Sequence, residues 1–306
     1  MLNRRGFVAA GLGTAAARGA DRAPIRFALS GFIWQEEIEK GVRDTARFGF
    51  HGIEPFRNHV LPYLDKPQRL KEQLDAAGIS MVTCSNGGPM SVNFIDPAKV
   101  PETIDDHFRF ARDFIAHFGC RHFKINMGSR PPEGPTDEQL KTLSGALNEL
   151  GKRTADIGIR LAPHPHLWAP VEREREVKRM LDSTDPRYVG LVPDTAHLTL
   201  GGTDPLEIVR DYFPRIAAVH FKDTPPRFRG HKGPPPSREE HRRENLYKNL
   251  GAGGVDFPAI FEMMNRKGFQ GWITIDLDPP RPGDGTIEDN VMVNKKYLQE
   301  VLAVAL

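Results

Sequence analysis

The stretch YVGLVPDTAHLTLGGTDPLEIVRDYFPRIAAVHFKD, residues 188–223, decides how the rest of the chain is read. Its first apolar run, Tyr188 to Val192, is aromatic and β-branched and stops at Pro193; its second, Ile216 to Phe221, has the same character. Both suit strands buried on two faces. Between them Asp204-Pro205 is a helix start, with proline at the first helical position. The segment is therefore a βαβ unit with a right-handed crossover. Ligands in parallel α/β sheets sit beyond the carboxyl ends of strands, so Asp194 and His220 face one mouth. Taken singly, Asp194 is equally a turn cap and His220 equally a core histidine. As a pair on neighbouring strand ends they suit a divalent metal.

Outward from this unit the same alternation repeats. Strands are expected near Ile25, Phe50, Gly78, Arg121, Ile157, Tyr188, Arg215 and Gly271, eight in all. Helical spacing of apolar residues covers 35–48, 66–77, 100–118, 137–156, 172–181, 257–267 and 290–304. Eight such units are the signature of an α/β fold of the (β/α)₈ TIM barrel type, and a doubly wound open sheet shares most of it. Two long connections, 86–97 and 224–255, follow strand ends and belong over the mouth. The second carries Arg227, Arg229, His231, Lys232, Arg238, His241, Arg242, Arg243 and Lys248, either as a solvated surface or as a lid that clamps an anionic or hydroxyl-rich substrate.

The 306 residues fit one large barrel, and 27% charged against 39% hydrophobic residues describes a soluble globular protein. No apolar run approaches the roughly 20 residues that span a bilayer. Residues 1–20 differ: Arg4-Arg5 precedes a Gly/Ala-rich apolar run ending in small residues. This resembles a twin-arginine export signal, which implies a periplasmic or extracytoplasmic mature protein of residues 21–306. A disordered basic terminus is the plainer account. Without that segment, which holds three arginines and no acids, the net charge falls from +2 to −1, which speaks against a nucleic-acid surface. Cys84 and Cys120 lie at opposite ends of neighbouring strands, out of disulfide reach.

In a barrel the strand ends converge Glu54, Lys124, Asn126, His164, His166, Asp194, His197, His220, Lys222, Asp276 and Asp278. Alternate residues on a strand face one way, so His164 and His166 both look into the site. We assign His164, Asp194, His220 and Asp276 as ligands of one divalent ion. Mixed imidazole and carboxylate ligands favour manganese, with cobalt, iron, zinc and magnesium as alternatives. His166, Lys124 and Glu54 are the proton-transfer candidates, and Lys222 and Arg229 the substrate contacts. For Lys124 a purely structural pair with Glu54 is an equal alternative.

The motifs HPH (164–166), VGLVPDTAH (189–197), VHFKD (219–223), LGAGGVDF (250–257) and GWITIDLDP (271–279) resemble the sugar phosphate isomerase/epimerase superfamily of xylose isomerase-like barrels, closest to its inosose dehydratase branch. The resemblance implies a (β/α)₈ barrel with one metal at the mouth, Asp194 and His220 as ligands and His197 as a substrate contact. Many epimerases of the superfamily carry metal-binding glutamates on strands 5 and 8, where this chain has His164 and Asp276. The histidine-rich strand 5 resembles instead the keto-cyclitol dehydratases, which remove a proton beside a ketone and expel a β-leaving group. The expectation is thus an exported lyase or isomerase of a keto-sugar, 3-keto-glycoside or cyclitol ketone, with His166 as base and a possible homo-oligomeric state. Two other classes stay open: a catalytically inactive sugar-binding barrel and a metal-dependent nuclease on a related barrel.

Overall fold

The computed structural model describes residues 25–87 and 94–306. The export-signal expectation at 1–20 and part of the 86–97 connection lie outside the described residues. Among the described residues seven strands form ladders: β1 (Arg26–Ser30), β2 (Gly52–Glu54), β3 (Ser80–Met81), β4 (His122–Ile125), β5 (Arg160–Pro163), β6 (Val219–Phe221) and β7 (Trp272–Ile275). All of their pairings are parallel, in the orders β3-β2-β1-β7-β6 and β4-β5.

The eighth stave is residues 188–194, which joins β5 through Leu161–Val189 and β6 through Leu191–Ile216 and Asp194–His220. Its backbone is bonded on both sides: Gly190 N to Leu161 O and Val192 N to Pro163 O, then Ala217 N to Leu191 O and His220 N to Pro193 O. Pro163 and Pro193 have no N–H to return, so the bonds break into separate bridges instead of a continuous ladder. Between β3 and β4 the seam is narrow. Asn86 N reaches Lys124 O at 3.4 Å, and Lys124 N donates to the Thr83 hydroxyl at 3.3 Å.

Side chains alternate along every stave. Outward, Leu29, Ile53, Phe123, Ile125, Leu161, Leu191, Val219, Phe221, Ile273 and Ile275 join the apolar layer beneath the helices. Inward, Ala28, Val82, Ala162, Val192, Ala218 and Trp272 plug the lower barrel. Trp272 fits because β2 opposes it with Gly52, where a Cβ would lie 2.8 Å from the indole. Above that plug the inward positions turn polar: Glu54, Lys124, His164, Asp194, His220 and Thr274 are all buried.

The helices follow the sequence with small shifts at their ends. They are α1 (Ile38–Arg47), α2 (Pro67–Ala77), α3 (Val100–Asp113), α4 (Asp137–Ala155), α5 (Glu174–Asp182), α6 (Thr195–Leu200), α7 (Pro205–Asp211), α8 (Arg238–Glu244), α9 (Phe257–Arg266) and α10 (Ile287–Glu300). The expected single helix 100–118 ends early, with a 3₁₀ turn at Ile115–Phe118. Neither α6 nor α8 was expected. Among the described residues no helix is long and apolar enough to cross a membrane. Both cysteines are buried and unpaired.

The 224–255 connection is an ordered strap. Asp223 accepts backbone N–H groups from Thr224, Gly253, Gly254 and Val255 at 2.7–3.1 Å, which pins the far end of the strap to its start. Part of its basic run is paired nearby, with Arg227 on Glu244 and Glu240, Lys232 on Glu174 and Arg243 on Glu244. Those pairs match the solvated-surface expectation more closely than an anion clamp.

Candidate active site

Asp194 stands at the junction of the eighth stave and α6, and its two carboxylate oxygens have different surroundings. Oδ1 caps α6 by accepting His197 N at 2.8 Å. Oδ2 is buried and has no hydrogen-bond partner among the described residues. It lies 3.8 Å from His220 Nδ1, which is itself 3.3 Å from Asp276 Oδ2. With His164 these residues bring one ligand atom each to within 4.8 Å of one another. An unpartnered buried carboxylate oxygen is costly unless a cation meets it.

The orientation of each imidazole is fixed from behind. His164 Nδ1 donates to Val192 O at 3.0 Å, leaving Nε2 as its lone-pair nitrogen. His220 turns Nε2 onto both oxygens of Glu54 at 3.0 Å, leaving Nδ1 toward the two aspartates. A carboxylate behind a histidine, holding its far nitrogen, is the arrangement that orients metal-binding imidazoles. Glu54 in turn accepts from Lys124 Nζ at 2.9 Å and from Thr274 Oγ1 at 3.1 Å.

Charge follows the same pattern. Burial by itself would raise Glu54, but the charges of His220 and Lys124 outweigh it and hold the carboxyl far below its usual range. Burial lowers His220, and the Glu54 carboxylate more than reverses this, to about 9. Asp194 is pushed up to about 7 by burial and then by the charge of Asp276. Asp276 stays well below the usual range although burial opposes it, because Lys222 and His220 stand beside it. With His220 neutral and Asp194 ionised, the state a bound cation requires, Glu54, Asp194, Asp276 and Asp278 against Lys124 and Lys222 leave two negative charges for a divalent ion to offset. The residues present fit such an ion.

Beside the cluster His166 donates Nδ1–H to Leu167 O at 2.8 Å, so its Nε2 is free as an acceptor. Its ring lies 3.6 Å from that of His197 at 36°. Burial pushes His166 down to about 4, which keeps the imidazole neutral. His197 Nδ1 meets the Tyr247 hydroxyl at 3.3 Å, and the Tyr247 ring carries Lys222 Nζ 4.2 Å from its centre. Lys222 bonds Asp278 at 2.7 Å and approaches Asp276 at 3.5 Å. Lys222, Tyr247, Asp276 and Asp278 line a cleft of about 120 Å³ that opens beside the cluster.

The structure thus brings together His164, His166, Asp194, His197, His220, Lys222 and Asp276. It departs from expectation at three residues. Glu54 and Lys124 are both about 1% exposed and saturated by one another, His220 and Thr274, so neither reaches an open face of the site. The equal alternative for Lys124, a structural pair, is the arrangement observed. Arg229 is an exposed side chain 3.3 Å from Asp256, lining a separate surface cleft with Thr203, Asp204 and Lys232. Tyr247 was not expected at the site. Its only signal in the sequence is an aromatic residue within a basic, proline-rich connection.

With this geometry in hand, comparison with known proteins places the fold. The family described as Xylose isomerase-like TIM barrel matches residues 42–297. The chain belongs to this family. It is 30% identical to an inosose dehydratase of Lacticaseibacillus casei over 288 residues, which covers 87% of this chain and 90% of that enzyme. Among solved structures, a sugar phosphate isomerase/epimerase from Parabacteroides distasonis superposes with a TM-score of 0.68 at 19% identity, covering 94% and 98% of the two chains. The IOLI protein with a bound zinc atom superposes at 0.71 and 16% identity, covering 91% and 98%.

Proposed function

We propose that this chain is an exported, divalent-metal-dependent lyase that removes a proton beside the ketone of a cyclitol ketone, keto-sugar or 3-keto-glycoside and expels the β-substituent. The observation that carries this reading is the unpartnered Asp194 Oδ2 amid His164, His220 and Asp276, with the acceptor nitrogen of His166 at its side. The similarity to inosose dehydratases over most of both chains supports the substrate class.

His164, Asp194, His220 and Asp276 would hold the ion, manganese first among the candidates. When bound it supplies Lewis acidity toward the substrate's carbonyl and the enediolate that follows. His166 takes the proton at Nε2; its Nδ1–H bond to Leu167 O sets the tautomer. His197, tilted against that ring and held by Tyr247, keeps the base in place and offers Nε2 to a substrate hydroxyl. Lys222 is held charged between Asp276 and Asp278 on the cleft wall, where its ammonium offers hydrogen bonds to substrate oxygens. Glu54 and Lys124 act as positioning residues: they set the direction of His220 and touch no substrate.

Isomerisation or epimerisation is the second reading, since both begin with the same proton abstraction. Epimerisation is disfavoured because Glu54, the remaining carboxylate of the polar layer, is tied to Lys124, His220 and Thr274 and supplies no second base on the opposite face. Incubating the manganese-loaded protein with inososes and 3-keto-glucosides in D₂O separates them. Elimination yields an unsaturated or diketone product; deuterated substrate or its epimer without elimination favours the second reading.

A further inference from the structure

His164 belongs to two clusters. Besides the mixed set with Asp194, His220 and Asp276, its ligand nitrogen lies within 4.8 Å of one nitrogen each from His166 and His197. These three imidazoles share a feature that a chance grouping of core histidines does not need. Every Nδ1 is engaged by the protein: His164 on Val192 O at 3.0 Å, His166 on Leu167 O at 2.8 Å and His197 on the Tyr247 hydroxyl at 3.3 Å. That leaves three Nε2 atoms, and the rings stand close, with centroids 5.7 Å (164–166), 5.6 Å (164–197) and 3.6 Å (166–197) apart. Three histidines, each oriented by a hydrogen bond at its second nitrogen, form the donor set of a three-coordinate protein site.

We propose that the pocket offers a metal ion two alternative seats that share His164: the mixed His164–Asp194–His220–Asp276 seat and an all-imidazole seat of His164, His166 and His197. His164 Nε2 has one lone pair, so one ion at a time uses it and the seats exclude one another. The seats differ in chemistry. Two carboxylate oxygens with two imidazoles accept a harder ion such as manganese, whereas three neutral nitrogens discriminate for zinc and copper(II). The identity of the ion therefore decides where it sits, and zinc or copper in the second seat takes up the lone pair of His166. On the reading of His166 as the base, which this consequence rests on, the second seat is inhibitory; the existence of the seat does not depend on that reading.

The test reads metal binding and not turnover, so failure of the seat and failure of the base assignment are distinguishable. In the full chain carrying Asp194→Asn and Asp276→Asn, manganese affinity should fall by about a hundredfold or more, while one zinc per chain remains within about tenfold of wild type. Asparagine keeps the cap on α6. Adding His197→Ala should then remove the zinc. Zinc lost together with manganese in the carboxylate variant, or zinc retained after His197→Ala, overturns the proposal. Should the double variant not fold, copper(II)-loaded wild-type protein decides the matter: its paramagnetic resonance spectrum should show coupling to three nitrogens and change on His166→Ala and on His197→Ala. A spectrum indifferent to both substitutions overturns it.

Discussion

At the scale of single residues the site depends on a division of labour within Asp194, whose Oδ1 holds the start of α6 and whose Oδ2 is left for a cation. His220 shares that design, with Glu54 behind it and the two aspartates before it. His220→Ala should therefore abolish metal binding and turnover together, as read by metal analysis of the purified variant; full occupancy would contradict the ligand assignment. Asp194, raised to about 7 by burial and by Asp276, must lose its proton to bind a metal. His220, raised to about 9, must likewise give up its Nδ1 proton, so manganese affinity should fall by up to about tenfold per pH unit as the pH drops toward 7 and more steeply below about 7, where Asp194 adds its own proton. Titration calorimetry across pH 5.5–8 checks this. Lys124→Met leaves Glu54 buried with His220 and Thr274 but without its ammonium partner, and should cost roughly 3 kcal/mol of stability by denaturant titration, the low end for a broken buried pair.

At the scale of elements the barrel was legible in the sequence wherever one periodicity dominated. Apolar spacing placed most helix ends within a few residues, and strand-end residues reported the mouth because alternation leaves them only one direction to face. The short helix α6 was not legible, since its six residues are all buried and show no polar face. Tyr247 was hidden for a different reason: its approach to His197 depends on how 224–255 folds back, and that is set by Asp223, which reads in sequence as another strand-end acid. Glu54 and Lys124 were read as chemistry because buried charge at a mouth suggests it. Their mutual pairing is a tertiary fact. Asp223→Ala removes the acceptor of four backbone N–H groups and should loosen the strap locally, by about 2–4 kcal/mol if each bond contributes about 0.5–1. Hydrogen exchange should quicken at 224 and 253–255 while β1 and β7 stay protected; unchanged protection at 253–255 would contradict the anchoring role.

At the scale of the whole molecule, stability and function draw on the same polar interior. The upper barrel is a layer of paired charges resting on the Trp272 plug, and it stays ordered because each group is either saturated or faces the cation site. Outside that layer His107 on α3 accepts Asn86 Nδ2 at 2.9 Å and donates to Thr103 O at 2.7 Å, tying the end of the third stave to a helix. Burial lowers it to about 4, so the unfolded chain binds a proton there between about pH 4 and 6.5 that the folded chain does not. Its contribution is complete above about 6.5 and is lost as the pH falls toward 4, up to about 3 kcal/mol. The wild-type protein should lose more stability over that interval than His107→Gln, measured by thermal unfolding at both pH values.

The central claim is that this barrel binds one divalent ion and uses it to remove a proton beside a ketone. It is tested most directly by metal analysis of the purified protein, followed in the same preparation by solvent deuterium exchange into inososes, 3-keto-glucosides and ketohexoses. The account predicts one ion per chain and deuterium entering the carbon next to the ketone, accompanied by elimination in at least one substrate class. A metal-loaded protein that binds these compounds but exchanges none of them, or a protein that takes up no metal at all, would contradict it.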